Sequence, residues 1–142
     1  MEFLKVRYPS GEWALWCAES RPHETIVSER LKHFVSAGYE VVVIADNMMG
    51  FCIAQKKIDC VMVFYHRLSE AYACCQGGGL LVAVLARELG CVCNLCPTDF
   101  DPEKETPGDS LCFAGENITP RGARSYVPRV DKVPVRYFAE KW

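Results

Sequence analysis

The sequence predicts an α/β fold, a single domain over residues 1–142 with a mixed sheet of about five to seven strands and two main helices packed on it. Three observations predict this class. β-branched apolar runs stand at residues 39–45 and 60–66. The stretches 20–38 and 79–90 carry apolar residues at helical spacing and end at glycine. Between them, strand-like and helix-like segments alternate through the centre of the chain. Half of the residues are apolar and 24% are charged, ordinary values for one soluble domain that buries about two-thirds of its extended-chain surface.

Taken in order, residues 1–8 alternate apolar and polar, residues 9–12 supply turn chemistry and residues 13–18 resume an apolar run, so the N-terminus predicts a β-hairpin. Ser20-Arg21-Pro22 opens a helix, Val27, Leu31, Phe34 and Val35 form its apolar face, and Gly38 stands where a C-terminal cap belongs. Residues 39–45 are a strand, 46–50 a turn and 51–55 a return strand, followed by a third strand at 60–66. The next helix, 79–89, carries Leu80, Leu81, Val84, Leu85 and Leu89 on an almost wholly apolar cylinder, which predicts burial. Residues 91–96 form a short strand. Residues 97–109 are acidic, hold two prolines after Pro97 and show no apolar periodicity. They predict a surface loop, either disordered or folded over a binding site. Residues 110–114 and 133–138 are further strands, separated by a basic stretch at 119–129.

Charge and hydropathy exclude whole classes of function. A net charge of −2 leaves no lysine and arginine excess to release counterions from phosphates, so no nucleic-acid partner is expected. The longest apolar run, 80–86, falls well short of the roughly 20 residues a membrane helix needs. The N-terminus has no continuous apolar signal region. A cytoplasmic protein with no membrane association is expected.

The nine cysteines are too dispersed through apolar runs for a secreted disulfide framework, and most read as buried free thiols. Cys91, Cys93 and Cys96 form the one close group. A structural zinc site wants four ligands, and only Cys112, the Cys74-Cys75 pair or a histidine stand near enough in sequence to complete one, so zinc is not expected. A thiolate enzyme with Cys112 or Cys96 paired to His66 is a further alternative. The string Gly108-Asp109-Ser110-Leu111 matches a hydrolase motif in letters alone.

Gln76-Gly77-Gly78-Gly79, immediately before the apolar helix, is the most informative local feature. Three glycines free the backbone N–H groups for close approach to a phosphate or pyrophosphate at the positive end of the helix. The same glycines equally suit a tight turn or close packing against a neighbouring strand. For acid–base chemistry, His66 stands at a strand end just before this glycine-rich loop. Histidine as a residue type titrates near neutrality, and Glu70 is placed to orient it or to act as the base itself. The alternative for both is a surface histidine and a helix-starting glutamate. The basic residues Arg121, Arg124, Arg129, Lys132 and Arg136, interleaved with Tyr126 and Tyr137, either bind an anion or pair with the acidic loop at 99–105.

Residues 39–93 resemble the central part of GNAT-type N-acetyltransferases, in which a strand hairpin and a further strand lead to a glycine-bearing phosphate loop, a helix and another strand. Gln76 to Gly79 match the first four places of that loop's pattern, while Leu81 stands where glycine or alanine is expected. The resemblance implies an acyltransferase with acetyl-CoA as cofactor, its pyrophosphate cradled by Gly77, Gly78 and Gly79 with Gln76 alongside, and His66 or Glu70 as base toward an amine. Two fragments, Gly77-Gly78-Gly79 with its helix and residues 112–119, resemble macro domains and imply an ADP-ribose-type nucleotide ligand. A non-catalytic module that binds or inhibits a partner protein is the alternative from a different class.

Overall fold

A computed structural model of the chain describes residues 2–21, 24–102, 104, 112–113 and 116–141. Its chain divides into two compact units, Met1–Ile58 and Asp59–Trp142.

The first unit holds α1 (Glu2–Arg7), β1 (Ala14–Ala18), α2 (Glu24–Ser36), β2 (Glu40–Ile44), a 3-10 turn (Asp46–Met48) and α3 (Met49–Ala54). β1 and β2 pair in parallel, from Ala14 opposite Glu40 to Ala18 opposite Ile44, with α2 as their crossover. The N-terminal hairpin expected from the sequence is therefore corrected. Residues 2–7 are helical, the turn keeps only a bridge between Ser10 and Trp13, and β1 finds its partner beyond α2. Aromatic packing fixes the start of this unit. Tyr8 is buried, meets Trp13 edge to face at 5.1 Å, and its carbonyl accepts a hydrogen bond from the Tyr39 hydroxyl at 2.7 Å. α2 ends as expected, with Gly38 at φ +85° and the Tyr39 N–H donating to the Phe34 carbonyl.

The return strand expected at 51–55 is corrected to α3. Its consecutive residues Cys52 and Ile53 are both buried, a pattern that a half-buried strand of period two does not produce.

The second unit carries a five-stranded mixed sheet in the order β8-β4-β3-β5-β9. Its strands are β3 (Cys60–Leu68), β4 (Tyr72–Gln76), β5 (Val92–Pro97), β8 (Val130–Pro134) and β9 (Glu140–Lys141), and α4 (Gly79–Glu88) joins β4 to β5. A separate two-stranded ribbon, β6 (Cys112–Phe113) and β7 (Glu116–Asn117), precedes β8. The sheet is antiparallel on the β4 side of β3 and parallel on the β5 side. The mixed α/β class with five strands in one sheet agrees with the sequence reading, and α2 and α4 are the two main helices. β4 was not anticipated, and the strand expected over 133–138 is split into the end of β8 and a 3-10 turn (Val135–Tyr137).

The core of this unit lies between α4 and the sheet. Ala73, Cys75, Ala83, Ala86, Leu95, Cys96 and Val133 are wholly buried. β5 buries Cys93, Asn94, Leu95 and Cys96 in succession, as a strand covered on both faces does. The fully buried residues of α4 are its small ones, Gly79, Ala83 and Ala86, with Val84 and Leu85 half-buried. Leu81 and Leu89 are about half exposed, which corrects the expectation of a helix buried all round. Among the described residues no helix is long and apolar enough to cross a membrane. Of the expected acidic loop, residues 103 and 105–109 lie outside the described residues, as do 110, 111, 114 and 115 of the segments beyond it.

Candidate functional site

The parallel pair β3 and β5 directs two carboxyl-terminal strand ends toward one edge of the sheet, where ligands of open α/β sheets collect. His66 stands at this end of β3. The β3–β4 ladder shifts register between Tyr65 and Arg67, so His66 occupies a β-bulge, a device that re-aims one side chain out of the regular alternation. The loop after β5 is tied back to β3 by the Thr98 N–H, which donates to the Tyr65 carbonyl at 2.9 Å. The Thr98 hydroxyl accepts from the Phe100 N–H, and the Lys104 N–H closes a turn onto the Asp101 carbonyl.

These bonds bring Asp101 beside the histidine. Its Oδ1 lies 3.7 Å from His66 Nε2 and its Oδ2 lies 3.5 Å from Lys104 Nζ. The His66 side chain is only 5% exposed, and Nε2 makes no hydrogen bond. At 3.7 Å the pair is beyond hydrogen-bond reach and attractive only when the imidazole is protonated. A buried ring nitrogen with no bond and a carboxylate beside it is suited to take up and return a proton. Glu70, by contrast, is exposed in the β3–β4 connection. The group placed beside His66 is Asp101.

Each of the three glycines before α4 has a structural task. Gly78 adopts φ +95°. A Cβ on Gly77 would stand 2.9 Å from the Pro128 carbonyl oxygen, and one on Gly79 would stand 2.8 Å from Cys75 Cβ. The Asp131 carboxylate caps the helix, with Oδ2 accepting from the Gly78 N–H at 2.9 Å and from the Leu80 N–H at 3.1 Å. The Gly77 N–H donates to the Arg129 carbonyl. A negative side chain thus already occupies the positive end of α4, and Gln76 is the last residue of β4.

Three buried thiols, Cys75, Cys93 and Cys96, are held protonated. Burial first, then neighbouring Cys74, Asp131 and Cys93, push the Cys75 thiol up to about 12, and burial with nearby cysteines does the same to Cys93 and Cys96. Among the described residues no group of three or more histidine, cysteine or acidic side chains is arranged to hold a metal ion.

The first unit has its own strand-end constellation. Asp46, just past β2, accepts from the Ser20 N–H at 2.7 Å and the Arg21 N–H at 2.9 Å, holding Ser20 at φ +56°. Arg21 Nε lies 3.1 Å from Glu19. The sequence reading missed Asp46, Asp101 and Asp131. Asp46 stands just past the end of β2, a signal like the one that singled out His66, whereas Asp101 lies within the acidic loop after β5 and nothing local marks Asp131.

Across residues 1–139 the chain matches the family model for IF-2B, the initiation factor 2 subunit family. The chain belongs to this family. The IF-2B assignment overturns the acyltransferase and macro-domain readings. The structural counterpart of that correction is α3, which stands where an N-acetyltransferase hairpin needs a returning strand.

Curated relatives of this IF-2B chain include methylthioribose-1-phosphate isomerases. That of Thermus thermophilus is 27% identical over an alignment of 136 positions that covers 87% of this chain and 41% of the relative. That of Synechocystis is 28% identical, over 92% of this chain and 41% of the relative. Among solved structures, 5-methylthioribose 1-phosphate isomerase from Pyrococcus horikoshii aligns with a TM-score of 0.78 at 24% identity, over 97% of this chain and 42% of that one. The translation initiation factor eIF-2B subunit delta from A. fulgidus aligns with a TM-score of 0.74 at 16% identity, over 90% of this chain and 41% of that one. These two structures share the fold. The chain spans about two-fifths of the length of the curated relatives it matches.

Proposed function

We propose that this chain is a sugar-phosphate-handling portion of an IF-2B family isomerase, with His66 as its proton-carrying group and Asp101 as the partner of that histidine. The observation that carries the reading is the buried, unbonded Nε2 of His66, set in a β-bulge at the carboxyl end of a parallel strand and facing a carboxylate at 3.7 Å. Interconverting an aldose phosphate and a ketose phosphate moves hydrogen between adjacent carbons. A side chain that accepts and returns a proton in a site shielded from bulk water serves that step. The named isomerases support the substrate class, a phosphorylated pentose, through sequence identity over most of this chain. Residues beyond this span of those relatives complete the whole enzyme.

Melting the chain with and without methylthioribose 1-phosphate tests the reading. Ligand at a hundred times its dissociation constant stabilises a fold by about 2.7 kcal/mol. The expected result is a rise in melting temperature with the phosphorylated sugar, a smaller rise with the unphosphorylated one, and loss of the proton-transfer signal in His66→Asn when exchange of substrate hydrogen with solvent is followed by NMR. Absence of any thermal shift, or exchange that survives in His66→Asn, refutes it.

A further inference from the structure

Arg87, in the last turn of α4, and Arg136, in the 3-10 turn after β8, each place the guanidinium carbon 5.3 Å from the ring centre of Tyr137. Neither arginine has a carboxylate partner among the described residues. The support beneath them is rigid. Val135 and Phe138 on either side of the turn are buried, as are Ala83 and Ala86 of α4, while both arginines are exposed. The two cations lie at most twice 5.3 Å apart, close to the Debye length of about 10 Å at 0.1 M salt, so each feels the other with no anion between them. The ring quadrupole attracts both and fixes their positions. A guanidinium over a ring keeps its N–H fork at the edge, ready for bidentate pairing with an oxyanion.

We propose that the Arg87–Tyr137–Arg136 cluster is a docking point for an acidic segment of a partner protein, one that carries two or more carboxylates. A protein fits better than nucleic acid because the Tyr137 ring already lies under guanidinium groups instead of standing free to stack a base. Leu80, 39% exposed and seven residues before Arg87 on the same helix face, offers an aliphatic contact beside the charges. This surface is separate from the isomerase reading, and its test uses no sugar phosphate.

The experiment measures fluorescence anisotropy of a labelled hexaglutamate peptide with the full chain at low ionic strength. The double variant R87Q/R136Q is compared with R121Q/R124Q, which removes the same charge from two exposed arginines that have no ring contact or ion pair among the described residues. Expected are near-equal affinities for the parent and R121Q/R124Q, binding about tenfold weaker in R87Q/R136Q, and loss of binding at about 1 M salt, where screening acts within about 3 Å. If R87Q/R136Q fails to fold, Arg136→Gln alone carries the comparison, with about threefold weaker binding expected. No binding by the parent, or equal weakening in both double variants, overturns the proposal. So does an oligouridine that outcompetes the peptide on the parent and loses its affinity in R87Q/R136Q.

Discussion

Replacing Gly79 with alanine adds one methyl group at the first residue of α4, where general rules and the structure give opposite signs. In a helix without neighbours the change stabilises by about 0.4–1 kcal/mol, because alanine restricts the unfolded chain. Here the new Cβ would stand 2.8 Å from Cys75 Cβ, 3.4 Å from Val63 Cγ1 and 3.5 Å from Val133 Cγ2. Carbon atoms rest at about 3.5–4.0 Å, so the contacts with Val63 and Val133 are ordinary, but the helix start must move away from Cys75 on β4 by roughly 0.7 Å or more. Overpacking of this kind costs about 1–3 kcal/mol, leaving a net loss of about 1–2 kcal/mol after the propensity gain. For a chain of this size that lowers the melting temperature by about 3–6 °C, read by circular dichroism. The clashing atom is a β-carbon, which sharpens the test. Cys75→Ala leaves the cost of Gly79→Ala intact, whereas Cys75→Gly removes most of it in a double-mutant cycle. A melting temperature that rises in Gly79→Ala, or a cost unchanged by Cys75→Gly, would refute the account of this packing.

Two further outcomes follow from the same region. Asp131→Asn keeps the shape of the cap but removes the charge that holds the Gly78 and Leu80 N–H groups. A stability loss of about 1 kcal/mol is expected in urea unfolding, with faster amide exchange confined to the first turn of α4; unchanged exchange there would disprove the capping role. Cys75, Cys93 and Cys96 are held protonated, raised from 9.0 to about 12. The unfolded chain therefore releases these protons first. Their contribution to stability is fully present below pH about 9 and declines as pH rises toward about 12, by at most about 1.4 kcal/mol per pH unit for each thiol. In the folded chain at pH 8 they stay unlabelled by a thiol reagent, and rapid labelling of all three without unfolding would contradict their burial.

The elements legible in the sequence were those whose signal is local. α2 was marked by its apolar spacing and Gly38, β2 and β3 by β-branched runs, and α4 by its periodicity after the glycines. The failures share a cause. Residues 2–7 alternate in letters yet form a helix, and residues 51–55 read as a returning strand only if a hairpin is assumed, whereas β1 and β2 run parallel and need a helix between them. β4 buries Ala73 and Cys75 in alternation, but Tyr72-Ala73-Cys74-Cys75-Gln76 has too little hydropathy contrast to announce itself. His66 was legible because it ends an apolar strand. Its partner was not, because Asp101 sits among acidic neighbours that read as solvated, while a bond between residues distant in sequence, from the Thr98 N–H to the Tyr65 carbonyl, ties its loop to β3. The glycines were legible as an unusual helix start, but the carboxylate that fills it comes from far along the chain.

That distance has a consequence for biosynthesis. The Asp131 cap on α4 is separated from the N–H groups that donate to it by 53 positions in one case and 51 in the other. A nascent chain that has emerged only as far as β5 has α4 with its first amides bare, and the edge of β4 that β8 will later cover still open. β8 is made after β3, β4 and β5, so it arrives carrying both the missing partner of β4 and the missing cap. Until then the partly made product exposes an unpaired strand edge, the kind of surface that chaperones shield and that neighbouring chains on a polysome can capture.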